Sequence, residues 1–214
     1  MHTFSQLVWQ RSADIRERID QLDFLNQLRT GELSRERFEN YMTQDRLYLA
    51  EYSRVLAGLA TQAPDQQAAL LWAESSRNCV LVESQLHQQY ADDQAVASPT
   101  CVAYTSYLTS RLVRGGYPVA VAGVLPCYWI YQDVGERLLA GVDDLAAHPF
   151  GEWIATYGDE VFAASVVTAR EIADECHRTA GEPVRRAMEE AYLTASRYEW
   201  MFWDAAHRME RWPL

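Results

Sequence analysis

The sequence contains no lysine, and all 19 of its Lys-or-Arg positions are arginine. That absence excludes a pyridoxal-phosphate Schiff base, a lysine aldolase and a Walker A loop, because each needs an amine at a fixed place. Long uncharged apolar runs are missing too. The longest, residues 118–131, is shorter than the ~20 residues a spanning helix needs and contains a proline. Cysteine is sparse: Cys79, Cys101, Cys127 and Cys176 are widely spaced with no C-x-x-C pair. Free thiols are therefore expected, not a disulfide or zinc framework. The opening MHTFSQLVWQRS lacks a basic region followed by an apolar one, so no signal peptide is expected. A soluble, cytoplasmic protein follows from these readings. Positive charge is outweighed by 30 acidic residues, for a net charge of −11. That balance argues against nucleic acid or an anionic membrane as the main partner.

What is present is apolar and periodic. The chain has 214 residues, 49% hydrophobic and 12% aromatic, enough for a sizeable core and suited to one domain over residues 1–214. Glycine and proline punctuate long stretches of 3.6-residue periodicity. A first amphipathic helix is expected at 3–19. Gly31 and Ser34 open a second at about 35–61, with Ser34 as N-cap. Pro64-Asp65 opens a third, to about 91. Ser98-Pro99 opens a fourth that stops at Gly115-Gly116. Pro118 opens a fifth, to about 140. A short sixth begins at His148-Pro149 and ends at Gly158, a seventh covers about 159–180, and Pro183 opens an eighth to about 211. No alternating strand pattern competes. The expectation is an all-α, single-domain helical bundle of about eight helices.

Several apolar stripes carry a polar residue at their centre. On the second helix the stripe reads Phe38, Tyr41, Asp45, Tyr48, Tyr52, Val55, Leu59. On the eighth it reads Met188, Tyr192, Ala195, Glu199, Phe202, Ala206, Met209. The third passes through Trp72, Ser76, Cys79, Glu83, Leu86 and Tyr90. The fifth carries Val124, Cys127, Tyr131, Val134 and Leu138. A single buried carboxylate has a plain explanation, since an arginine or a helix end can satisfy it. Three of them, Asp45, Glu83 and Glu199, on stripes that meet in one bundle describe an active-site cavity better than a plain core.

Pro126 removes a helical hydrogen bond to the Ala122 carbonyl. An ordinary kink would need no further reason, but this one would aim Cys127 inward, with Tyr131 one turn on near the sulfur. A Ser-His-Asp triad does not fit, because no histidine falls on the central stripes. A metal centre competes: Glu83/His87 is an i, i+4 pair, and Asp174/His177 and Asp204/His207 are i, i+3 pairs. A di-iron bundle wants Glu-x-x-His on two helices, and that spacing is missing. A cysteine nucleophile with a carboxylic acid/base needs neither metal nor cofactor.

The segments GELSRERFENYMTQDRLYL (31–49), YTSYL (104–108), LPCYWIYQDVGERL (125–138), WIATYGDEVF (153–162) and YEWMFWDAAH (198–207) together resemble the TenA family of thiaminase II, or aminopyrimidine aminohydrolases. The resemblance covers nearly the whole chain and points to the cysteine-bearing branch. It implies a haem-oxygenase-like bundle that binds no haem, no cofactor, and a homotetramer. The implied substrate is thiamin or its degradation product aminomethylpyrimidine, hydrolysed to hydroxymethylpyrimidine in thiamin salvage. It also implies residue roles: Asp45 binds the pyrimidine amino group and ring nitrogen, with Tyr48 nearby and Tyr104 flanking the ring. Cys127 is the nucleophile with Tyr131 as its hydrogen-bonding partner. Tyr157 reaches the carboxylate region, Glu199 is the acid/base, and Phe202 packs on the ring.

Overall fold

The computed structural model describes residues 2–86, 95–156 and 160–213, with side chains at 82–86 set aside. Its elements are α1 (Phe4–Arg11), α2 (Ala13–Asp20), α3 (Asp23–Thr30), α4 (Arg35–Gln62), α5 (Gln66–Leu86), α6 (Pro99–Ser110), α7 (Tyr117–Ala140), α8 (Gly151–Thr156), α9 (Glu160–Thr179) and α10 (Glu182–His207). A π-helical turn, Arg111–Gly115, joins α6 to α7. The described residues contain no strand, so the protein is all-α. None of the described helices is long and apolar enough to cross a membrane.

Local chemistry sets the boundaries. Ser34 and Ser98 act as N-caps, accepting hydrogen bonds from the Arg37 and Cys101 amides, which satisfies donors the first helical turn leaves orphaned. Where one helix was expected at 3–19, the chain bends at Ser12 and forms two. Residues 23–30, unassigned from the sequence, form α3. Gly31, expected only to open the next helix, is the left-handed C-cap that ends α3 at φ 76°, a conformation glycine adopts without Cβ strain. The eighth helix expected to reach 211 stops at His207, and Met209 turns left-handed at φ 56°.

The most extensive packing joins α4 to α5 and α7 to α10, with α6 bridging α4 and α10. Asp174 ties α9 to α1, accepting from the Ser5 amide at 2.6 Å and the Ser5 hydroxyl at 2.9 Å. His177 lies 3.6 Å from Glu189, and Asp204 pairs with Arg208 at 2.8 Å. The acid–histidine pairs of α9 and α10 are thus occupied in clamps between and along helices. His207 approaches Gln27 at 3.3 Å.

Candidate active site

Every residue of the α4 stripe from Phe38 to Leu59 is buried, Asp45 included at 5% exposure. Glu199 is 2% exposed at the middle of the α10 stripe. An isolated buried carboxylate is unfavourable in its charged form, and the structure shows the consequence. Burial pushes the Glu199 carboxyl up to about 8, the charge of Asp45 adds to the rise, and the hydrogen bond from Tyr104 opposes it. That bond is short: the Tyr104 hydroxyl donates to Glu199 Oε1 at 2.5 Å. Asp45 and Glu199 therefore share one interior region, brought there from α4 and α10.

Cys127 enters from α7. Pro126 lies inside that helix, and the Tyr52 hydroxyl donates to the Val124 carbonyl, two residues before it, at 2.9 Å. Cys127 keeps some accessible surface, although burial dominates its chemistry. Burial pushes its thiol well above the ordinary range, the charge of Glu199 pushes the same way, and the Tyr48 hydroxyl opposes both. At neutral pH the pair rests as thiol and carboxylic acid.

Aromatic side chains wall this region. Tyr48 lies 5.0 Å from Tyr104, 5.3 Å from Tyr52 and 5.5 Å from Phe202 between ring centres. Phe202 meets Tyr41 edge-on at 6.1 Å. The Tyr48 hydroxyl is buried and has no hydrogen bond of ordinary geometry, yet it stands close enough to the thiol to hold it down. A buried hydroxyl in that condition is costly unless a ligand completes it.

Six of the eight expected residues, Asp45, Tyr48, Tyr104, Cys127, Glu199 and Phe202, thus fall in one cluster. Tyr131 lies one turn past Cys127, where its hydroxyl is 3.2 Å from that of Tyr41 and its ring 4.7 Å from Trp203. The hydroxyl acting on the thiol is that of Tyr48. Tyr157 and His87 lie outside the described residues, as does the side chain of Glu83. Tyr52 was legible only as a stripe position, and its grip on the proline turn was not. Among the described residues no three His, Cys, Asp or Glu side chains are grouped to hold a metal ion. None of the four cysteines is in a disulfide. Two hollows lie elsewhere: one of about 280 Å³ beside Asp20 and Arg137, and one of about 740 Å³ along α4 and α6 beside Leu47 and Val113.

Residues 9–209 match the model of the TENA/THI-4/PQQC family. The chain is 32% identical over 199 residues to the aminopyrimidine aminohydrolase of Bacillus subtilis, covering 88% of this chain and 83% of that protein. It is 38% identical over 207 residues to the thiamine biosynthesis multifunctional protein ThiED of Corynebacterium glutamicum, covering 96% of this chain but 27% of that protein. A second ThiED, from Corynebacterium efficiens, is covered to 28%, so the chain spans about a quarter of the length of these two relatives. Among solved structures, the TenA homologue of P. horikoshii superposes with a TM-score of 0.85 at 24% identity, over 97% of this chain and 99% of that one.

Proposed function

The chain belongs to the TENA/THI-4/PQQC family, and on that premise we propose that it is an aminopyrimidine aminohydrolase of thiamin salvage. The substrate in this reading is a 4-amino-2-methylpyrimidine with a leaving group on its 5-methylene, either aminomethylpyrimidine or thiamin. The observation that carries it is the approach of Cys127 and Glu199 inside tyrosine walls, with the Glu199 carboxyl raised to about 8. A carboxyl in that range keeps its proton at neutral pH and can give it up during reaction.

The chemistry balances without an outside base. The Cys127 sulfur adds to the ring carbon beside the substituted position, and Glu199 protonates the adjacent ring nitrogen. The carboxylate so formed takes up the thiol proton, so Glu199 relays one proton from sulfur to ring. The aromatic ring becomes an enamine, which expels from the methylene either the neutral thiazole or, from the protonated aminomethyl group, ammonia; the proton lost by the incoming water passes to the free amine or to solvent. Water adds there, and reversal frees the thiol as hydroxymethylpyrimidine leaves. Asp45 accepts the amino group and fixes the face of the ring. Tyr48, Tyr104 and Phe202 supply flat walls. Tyr131 keeps its expected place as a hydrogen-bonding partner of the thiol in this reading, and the family resemblance assigns Tyr157 to the carboxylate region. The family resemblance further supports a cytoplasmic homotetramer.

The test is incubation of chelator-treated protein with aminomethylpyrimidine or thiamin, following ammonia and hydroxymethylpyrimidine. Turnover with both products formed supports the reading. Ring binding without turnover would make the protein a pyrimidine carrier. Activity lost to the chelator and restored by one metal would replace the cysteine mechanism with a metal-dependent one.

A further inference from the structure

Tyr104 is held between two rings that differ in character. On one side stands Tyr48, tilted 31° at 5.0 Å, a wall of the reacting region whose hydroxyl has no settled hydrogen bond. On the other lies Tyr198, stacked flat at 5.1 Å with only 9° between the planes. Tyr198 directly precedes Glu199 on α10, but successive helical side chains diverge by about 100°, so it faces α6 while Glu199 faces the interior. The column continues outward. Tyr198 meets Tyr107 at 5.5 Å, and the Arg111 guanidinium sits 5.0 Å over the Tyr107 ring. Arg111 begins the π-helical turn, which is packed tightly on α4: a Cβ at Gly58 would stand 2.4 Å from Leu112 Cδ2. The outer end of the column is therefore anchored to the helix that carries Asp45.

We propose that Tyr198 is a positioning residue for the proton-transfer pair: its ring, flat against Tyr104, holds the Tyr104 hydroxyl on the Glu199 carboxyl. This rests on the reading that Glu199 moves a proton in hydrolysis. Tyr198 touches no reacting atom. It fixes the plane of Tyr104 from behind, leaving the Tyr48 side free to adjust to a bound ring. An aromatic side chain of any polarity can fill this role, whereas an aliphatic one cannot, because a flat stack needs a second π-face.

The experiment compares Tyr198→Leu and Tyr198→Phe by two readouts. The first is infrared pH titration of the buried carboxyl stretch, assigned by its loss in Glu199→Gln. The groups around that carboxyl are Asp45 and Tyr48 of α4, Tyr104 of α6 and Cys127 of α7. The second is kcat and KM for aminomethylpyrimidine. A hydroxyl donating to the ionised carboxylate favours ionisation, so losing it moves the Glu199 titration upward. Tyr198→Leu is expected to raise it by about one pH unit, with kcat down roughly tenfold and KM changed by less than about twofold. Tyr198→Phe should overlay the wild type in both. Tyr107→Leu, at the half-buried next position of the column, should shift the titration the same way by less, and serves if Tyr198→Leu does not fold. An unmoved titration in the leucine variants, or a phenylalanine variant as impaired as leucine, overturns the proposal. If the titration behaves as expected but wild-type protein hydrolyses neither pyrimidine, the functional reading falls and the positioning role stands.

Discussion

Tyr104 and Glu199, 95 residues apart in the chain, meet at 2.5 Å in a buried hydrogen bond that joins α6 to α10. Two groups with separate expected jobs, one flanking the ring and one moving a proton, are thereby a single unit. The bond opposes the rise that burial imposes on Glu199 and leaves it near 8, poised for proton transfer at neutral pH.

Replacing Glu199 by glutamine keeps the shape and the acceptor for Tyr104 but removes the transferable proton. The kcat of Glu199→Gln should fall by about 10²–10⁴, while calorimetry should find pyrimidine affinity largely retained. In the proposed reaction the protonated form acts first, so kcat should decline as pH rises through about 8. Full single-turnover rate in Glu199→Gln would remove Glu199 as proton donor.

The same carboxyl makes stability depend on pH. Its folded value near 8 exceeds its ordinary 4.5, so the folded state holds a proton that the unfolded chain releases. The stabilisation is complete below 4.5 and is lost as pH rises through 8. Glu199→Gln lacks this loss. Between pH 4 and pH 9 its stability should gain on the wild type by on the order of a few kcal/mol, read by urea unfolding at each pH. Parallel pH–stability curves for the two proteins would contradict the raised value.

The sequence shows where polar groups interrupt apolar stripes, and hence Asp45, Cys127 and Glu199. Helix starts were legible where a serine caps them, at Ser34 and Ser98. Helix α3 was not: it is short, Leu22 caps it without a side-chain bond, and its closing glycine doubles as a signal for the next helix. Partnerships across helices were not legible either. Periodicity places Tyr104 and Glu199 on their own helices but says nothing of their mutual distance. Tyr198 lies off the stripe and is legible only as the first residue of the 198–207 segment, with no role attached, while Asp174 of the metal-like Asp174/His177 pair bonds Ser5 and His177 lies near Glu189.

Asp45 is expected to act on the bound ring. In Asp45→Asn an amide donor faces the pyrimidine amino group, so affinity should weaken by about tenfold or more. Single-turnover rate should fall as well, because a misplaced ring presents its carbon poorly to Cys127. Calorimetry decides: wild-type affinity in Asp45→Asn would leave that carboxylate a structural role.

Tyr52→Phe removes the hydroxyl that bonds the Val124 carbonyl, two residues before Pro126. Stability should drop by about 1 kcal/mol, and kcat should fall more than ring affinity, since the turn aims the sulfur. Unchanged unfolding midpoint and kcat would show that Pro126 alone sets that geometry.

The nucleophile is tested most directly by ammonia release from aminomethylpyrimidine in Cys127→Ser against wild type, at saturating substrate and with folding checked by circular dichroism. Cys127 lies beside Glu199 and Tyr48, and a serine hydroxyl there is a far weaker nucleophile than sulfur. Wild type should release one ammonia per hydroxymethylpyrimidine formed, and Cys127→Ser should fall by about 10² or more. A Cys127→Ser protein that binds the ring and releases ammonia at the wild-type rate would contradict the account.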